Sequence, residues 1–183
     1  MKREASVDVP KSALPMPNRD HIKGPIDAPI ALVEYGDYEC PYCGEAYPVV
    51  KAIQKRLGDR LCFAFRNFPL VNSHPHAAHA AEAAEAAGAQ GRFWEMHDLL
   101  YENQGALEDS YLVGYAATLG LDAERLIKEV LDGAHTARVR EDFRSGARLG
   151  VNGTPSFFIN GVRYDGGPDV EELLTALTEQ PTR

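Results

Sequence analysis

The sequence predicts an α/β protein in which a long helical block separates two groups of strands. Three observations support this fold class. Two short runs of strand-forming residues, 29–36 and 61–68, lie on either side of a helical pattern. Helical segments then occupy residues 75–149, and a hairpin signal at Asn160-Gly161 follows them. The expected order is therefore strand, helix, strand, helical block, hairpin, helix.

The first half of the predicted sheet consists of two strands with one helix between them in the sequence. The apolar run PIALVEYG at 29–36 predicts a buried strand. A helix is expected from Pro41 to about Leu57, because apolar residues recur there at spacings of three and four. Proline suits the first helical position, whereas Pro48 inside the helix is expected to kink it or to lower its stability. LCFAFRNF at 61–68 predicts the second strand.

The helical block interrupts the strands with five segments. The first is rich in alanine and glutamate, which favour helix, and the others place apolar residues on one face. The segments are 75–89, 93–101, 111–119, 123–131 and 135–149.

Strands return after the helical block. PSFFI at 155–159 and the short run 162–164 are joined by Asn160-Gly161, a dipeptide typical of a two-residue hairpin turn. Pro168 is then expected to open a last helix. These elements complete the predicted sheet.

Composition and charge exclude several classes of protein. The 183 residues suffice for one well-buried core, and the net charge of −8 leaves no basic patch for nucleic acid. No apolar run approaches the ~20 residues that span a membrane. The N-terminus lacks the apolar core of a secretory signal, so we expect a cytoplasmic protein. A removed export signal would instead indicate a periplasmic or extracellular one.

The three cysteines divide into a close pair and a distant residue. Cys40 and Cys43 lie three positions apart at the start of the expected helix, where both thiols share a face and can form a disulfide. The helix N-terminus favours a thiolate at Cys40, and Cys43 can displace a partner from a mixed disulfide. A zinc site would need further ligands, and a structural disulfide closing so small a loop would stabilise little. Cys62 is expected to be an inert core thiol.

The segments VEYGDYECPYC and GVNGTPSFFINGV resemble the DsbA-like group of thioredoxin-fold disulfide oxidoreductases. RNFPL, HPHA and GRFWEMHDLLYENQ resemble the helical insertion of that group, so the likeness extends over about 22–179. It implies a thioredoxin fold with an all-helical insertion between the two halves of the sheet. The expected division is an extended N-terminal arm at 1–21, a thioredoxin domain at 22–72 and 151–183, and an inserted helical domain at 73–150.

The resemblance also implies roles for particular residues. Thr154-Pro155 matches the family's cis-proline site, with Thr154 as an edge for an extended substrate. Pro41 and Tyr42 are implied to contact substrate beside Cys40. Glu34 matches a buried acid beneath the resolving cysteine, where burial would raise its pKa and allow it to relay a proton. The alternative is an acid whose carboxylate reaches solvent at the strand end.

Neighbouring charges bear on the redox behaviour. Asp37 and Glu39 disfavour a Cys40 thiolate, although we expect the pKa of Cys40 to stay below that of an ordinary thiol. Tyr42 replaces the histidine of the strongest oxidants in the family, so the direction of electron transfer stays open.

The three histidines His74, His76 and His79 could form a metal site. The alternative is a set of loop and helix-start histidines. We favour it because no carboxylate or thiol accompanies them in the sequence.

These features together predict thiol–disulfide exchange on protein substrates, without a metal or bound cofactor. Cys40 and Cys43 would carry the reaction, with Glu34 as proton carrier and Thr154 and Pro155 as substrate contacts. The expected partners are protein thiols and disulfides and an unidentified redox partner, with no nucleic acid and no membrane, and the expected state is a monomer. Two alternatives stay open: a glutathione-linked reductase or isomerase on the same fold, and a non-enzymatic chaperone or binding module.

Overall fold

The computed structural model describes residues 10–167 and 169–179. Its centre is a five-stranded sheet with strand order β1-β3-β2-β4-β5. Strand β2 is parallel to β3, and every other neighbouring pair is antiparallel. The strands are β1 (His21–Lys23), β2 (Ile30–Gly36), β3 (Leu61–Asn67), β4 (Ser156–Ile159) and β5 (Val162–Tyr164).

Seven α helices are present in the described residues, and five of them lie between β3 and β4. The first helix joins β2 to β3, and the last follows β5. Their bounds are α1 (Pro41–Leu57), α2 (Ala77–Ala89), α3 (Phe93–Glu102), α4 (Asp109–Thr118), α5 (Ala123–Leu131), α6 (Thr136–Arg148) and α7 (Val170–Glu179). The predicted fold class, with helices inserted between two halves of a sheet, is therefore confirmed.

Strands β2 and β3 form the buried middle of the sheet, and all seven residues of each are buried. One face carries Leu32 and Phe63, which pack with residues of α1, α3 and α7 in the larger apolar core. The opposite face carries Val33 and Tyr35 in a smaller core. Gly146 of α6 packs closely against this face, and the contact requires glycine, because a Cβ at this position would come within 2.9 Å of the Tyr35 ring. Continuous apolar runs suit strands covered on both faces.

The predicted hairpin turn and the predicted bounds of the first helix are both confirmed. Asn160 and Gly161 both have positive φ, at 47° and 84°, as the predicted two-residue hairpin requires. Helix α1 runs from Pro41 to Leu57 as expected and continues through Pro48. The expected start of the last helix at Pro168 lies outside the described residues.

The expectation of an extended N-terminal arm is wrong for residues 10–21, and residues 1–9 lie outside the described part. Ala13 is buried, and β1 pairs with β3 at the sheet edge, starting at His21. The cause is Arg66, which is fully buried and donates hydrogen bonds to the carboxylate of Asp20 at 2.9 and 2.7 Å. A buried guanidinium needs such partners, so this segment is held against the sheet.

Candidate active site

Cys40 occupies the N-cap of α1 and is only 3% exposed. Its carbonyl accepts hydrogen bonds from the backbone of Cys43 and Gly44, each at 3.1 Å, which begin the helix. Its Sγ lies 3.3 Å from the carbonyl oxygen of Thr154. The helix therefore presents this sulfur at its N-terminus, against the loop before β4, as the sequence predicts.

Cys43 lies one turn further along α1 and is fully buried. The backbone N–H of Asp37 points to its Sγ at 3.5 Å, and the two cysteines are not joined by a disulfide. The two thiols differ in acidity. A hydrogen bond from the Cys43 thiol, aided by backbone N–H groups and opposed by burial, lowers the pKa of Cys40 to about 5. Burial, the hydrogen bond to Cys40 and the charge of Glu34 raise the pKa of Cys43 well above its usual value.

This asymmetry fits the two parts of an exchange reaction. A thiol with a pKa near 5 is a thiolate at neutral pH and a good leaving group. A buried thiol with a raised pKa keeps its proton until a base removes it. The expectation that the pKa of Cys40 lies below that of an ordinary thiol is confirmed.

Glu34 lies in the centre of β2, between Phe65 of β3 and Phe157 of β4. It is 2% exposed, and burial raises its pKa to about 8. The predicted burial and pKa direction are confirmed, and the alternative of a solvent-reaching carboxylate is wrong. The charge of its ionised form is one of the causes that raise the pKa of Cys43.

The loop before β4 carries the expected cis peptide bond between Thr154 and Pro155. Thr154 is nearly buried and meets Cys40 through its carbonyl. Pro41 and Tyr42 on the other side are exposed, with Tyr42 at 66%. Of the four residues that the resemblance names as substrate contacts, Pro41 and Tyr42 follow Cys40 directly in the chain and Thr154 contacts its sulfur. Pro155 is joined to Thr154 by the cis bond.

The expectation that no carboxylate accompanies the three histidines is wrong. His74 Nδ1 lies 2.7 Å from Asp37, and His76 Nδ1 lies 2.9 Å from Glu39. His79 meets a third carboxylate, on α4. The histidines thus pair one by one, and the described residues hold no group of three or more His, Cys, Asp or Glu arranged for a metal ion. Asp37 and Glu39, the carboxylates near Cys40, are therefore each paired with a histidine. Short-range sequence patterns do not reveal these pairs, because the partners lie 37 positions apart.

Gln104, in the loop after α3, was missed by sequence reasoning. Its side-chain amide donates to the carbonyls of Tyr38 and Cys40 at 2.9 and 2.8 Å. Gly44 leaves room for it, because a Cβ there would lie 1.9 Å from the Gln104 oxygen. An inserted loop thereby holds the first turn of the catalytic helix. A single polar residue in a loop distant along the chain gives no signal for this contact.

Tyr101 lies on α3. Its buried hydroxyl lies over Gly36, where a Cβ would come within 2.6 Å, and it has no hydrogen-bond partner among the described residues. Burial and then the charges of Cys43 and Glu34 raise its pKa. The side of the sheet beneath Cys43 thus holds a buried acid and a buried hydroxyl.

Comparison with known sequences gives two findings. A family model described as "Thioredoxin" matches residues 17–179. A relative named "Na(+)/H(+) antiporter NhaA 1" from Salinispora arenicola is 47% identical over 162 residues, which are 88% of this chain and 25% of that protein. A protein of the same name from Mycobacterium sp. (strain KMS) is 44% identical over 88% of this chain and 27% of its own length. The chain spans about a quarter of these curated relatives. Among the helices of the described residues, none combines the length and the apolar composition that a membrane-spanning segment needs.

Solved structures share the fold over most of their length. BdbD from Bacillus subtilis superposes with a TM-score of 0.81 at 24% identity, over 91% of this chain and 95% of that one. A thioredoxin-like oxidoreductase from Silicibacter pomeroyi gives 0.80 at 27% identity, over 92% and 96%. The alpha-DsbA1 protein from Wolbachia pipientis gives 0.78 at 22% identity, over 91% and 92%.

Proposed function

Because the chain belongs to the thioredoxin family, we propose that it is a DsbA-like thiol–disulfide oxidoreductase acting on protein substrates through Cys40 and Cys43. The observation that carries the proposal is the contrast between the two thiols. One has a pKa of about 5 at a helix N-terminus, and the other is buried with a raised pKa.

In the oxidising direction, a substrate thiolate attacks Cys40 Sγ of the Cys40–Cys43 disulfide. A mixed disulfide forms at Cys40, and Cys43 leaves as a thiolate. A second substrate thiolate then attacks the substrate sulfur of the mixed disulfide, so that a substrate disulfide forms and Cys40 leaves as a thiolate. The low pKa of Cys40 makes it a good leaving group and stabilises the reduced protein. We therefore propose that donation of disulfides is the favoured direction, with a potential between about −270 and −120 mV.

Glu34 would manage the proton of Cys43. With a pKa of about 8 it holds a proton at neutral pH, which it can give to the departing Cys43 thiolate. In the reverse direction its carboxylate form removes the proton before Cys43 attacks the mixed disulfide. No metal or bound cofactor enters either step.

The substrate would bind as an extended segment along Thr154 and Pro155, beside the exposed Pro41 and Tyr42. We propose that residues 73–150 form the inserted domain that selects substrates, because Gln104 already connects it to the catalytic turn. Residues 22–72 and 151–183 would form the thioredoxin domain.

An insulin-reduction assay and an oxidative-refolding assay test this function. Cys40→Ser is expected to abolish activity in both, because the pKa of Cys43 is raised well above its usual value and Cys62 is buried in β3. Cys43→Ser is expected to accumulate the mixed disulfide with substrate. Cys62→Ala is the matched control and is expected to retain activity, because this thiol is buried in β3.

Other outcomes would favour the alternatives. Equal behaviour of the wild type and Cys40→Ser in both assays would end the oxidoreductase proposal. Turnover that requires glutathione and a small electrophile would indicate the glutathione-linked enzyme. Partner binding that survives Cys40→Ser without any exchange in the wild type would indicate a binding module.

A further inference from the structure

Two carboxylate–histidine pairs connect the turn before Cys40 to the segment between β3 and α2. Asp37 Oδ2 accepts a hydrogen bond from the backbone N–H of Leu70 at 2.8 Å and lies 2.7 Å from His74 Nδ1. Glu39 pairs with both the backbone N–H and the ring of His76, at 2.7 and 2.9 Å. The segment therefore places an imidazole against each acid of the catalytic turn.

The Asp37 pair lies closer to the reacting sulfurs. The Asp37 N–H points to Cys43 Sγ at 3.5 Å, and its carbonyl accepts the N–H of Cys40 at 3.2 Å. Its carboxylate is fully buried and the His74 side chain is 17% exposed, whereas the Glu39 and His76 side chains are 19% and 40% exposed. Solvent screens the Glu39 pair more, so the charge state of His74 has the larger effect on the cysteines.

An unpaired carboxylate at Asp37 would oppose a Cys40 thiolate. An imidazolium beside it cancels that charge and attracts the thiolate. Although burial opposes it, the hydrogen bond to Asp37 and the charges of Asp37, Cys40 and Glu39 raise the pKa of His74. The groups around His74 therefore favour its charged form.

We propose that His74 is a positioning residue of the exchange reaction: it keeps Asp37 paired, and this pairing allows Cys40 to persist as a thiolate. The inference rests on the proposed function and names a residue outside the Cys-Pro-Tyr-Cys motif that sets its redox poise. His74 acts through Asp37 and does not react with substrate.

The test is His74→Gln, which removes the charge and keeps a side-chain donor for Asp37. Thiolate absorbance against pH gives the pKa of Cys40, and equilibration with glutathione buffers gives the redox equilibrium constant. We expect the pKa of Cys40 to rise by about 1 and reduction of the disulfide to become about tenfold less favourable, which is a potential lower by ~30 mV.

His79→Gln is the matched control. His79 makes the same kind of pair with Asp109, at 2.6 Å, away from the hydrogen bonds of the catalytic turn. We expect its Cys40 titration and redox equilibrium to match those of the wild type. The double variant Asp37→Asn/His74→Gln removes both charges and is expected to return the pKa of Cys40 toward the wild-type value.

Two results would overturn the inference. One is a His74→Gln protein with the wild-type Cys40 titration and redox equilibrium, even if its melting temperature falls, because the role would then be structural only. The other is an equal effect of His79→Gln. Failure of the proposed function is a different result, since it is a wild-type protein that exchanges no disulfide, and the Cys40 titration is read without any substrate.

Discussion

Buried acids on the two faces of the central sheet differ in their charged partners. Glu34 on one face has no cationic partner among the described residues, and burial raises its pKa to about 8. Asp142 is just as buried beside the other face, but Arg138 and Arg19 oppose the effect of burial, and its pKa is raised only to about 6. Burial alone therefore does not decide the state of a carboxylate; its partners do.

The second face also contains Asp20, whose carboxylate forms an ion pair with the buried guanidinium of Arg66 at 2.7 Å. Arg66 further donates to the Tyr35 hydroxyl and to the carbonyls of Ser12 and Leu14. A buried charge with so complete a set of partners fixes structure. An unpaired buried acid beside a buried thiol is instead suited to proton transfer. We call the face with Asp20, Asp142 and Arg66 the paired face and the face with Glu34 the unpaired face. We assign the paired face to stability and the unpaired face to chemistry.

The largest effect is expected on the paired face. Arg66→Met should remove the buried guanidinium that binds both carboxylate oxygens of Asp20, leaving this buried acid with the Met16 N–H at 2.8 Å and the Arg19 guanidinium at 3.6 Å. We expect the free energy of unfolding to fall by about 3–5 kcal/mol, measured by urea denaturation. The Cys40 titration should not move in the protein that remains folded, because Arg66 contacts the opposite face of the sheet.

Arg56→Met is the control for that measurement. Arg56 pairs with Glu171 at 2.6 Å, but both side chains are exposed, so less than about 1 kcal/mol should be lost. If the two arginine variants lost equal stability, the structural role of the buried network would be refuted.

The unpaired face predicts a pH effect on stability. Folded Glu34 keeps its proton up to about pH 8, whereas the unfolded chain releases it near 4.5. Unfolding therefore releases a proton between these values, and rising pH destabilises the fold by about 1.4 kcal/mol per pH unit from this group. Between pH 5.5 and 7.5 the wild type should lose about 3 kcal/mol more than Glu34→Gln, measured by urea denaturation. Parallel pH profiles would show that Glu34 is not protonated in the folded protein.

The local features of the sequence predicted the sheet and the catalytic pair well. Strand β2 and strand β3 are continuous apolar runs, and Asn160-Gly161 forms the turn that its residues require. Cys40 and Cys43 were identified because their spacing and the helix start are both encoded within a few residues. Such signals need no knowledge of tertiary contacts.

The contacts that were missed join residues far apart in the chain. Arg66 binds Asp20 across the sheet edge, His74 pairs with Asp37, and Gln104 reaches the carbonyl of Cys40. Arg66 lies in a strand, and His74 and Gln104 lie in loops. The residues next to them in the sequence do not indicate which distant group each side chain will bind. Strand β1 was missed for the same reason, because a three-residue strand is held by Arg66 and by pairing with β3 rather than by its own propensity.

The smallest expected effect concerns the rate of exchange. Glu34→Gln should slow exchange near pH 7 by about tenfold, or ~1.4 kcal/mol, because Cys43 loses its proton carrier, and the loss should vary with pH around 8. Stopped-flow reaction with a dithiol substrate across pH 6–9 measures it. Glu82→Gln is the control, since Glu82 is also buried but lies on α2 and accepts a hydrogen bond from Thr136. Equal rates for the wild type and Glu34→Gln at every pH would remove Glu34 from the mechanism and leave both faces of the sheet structural.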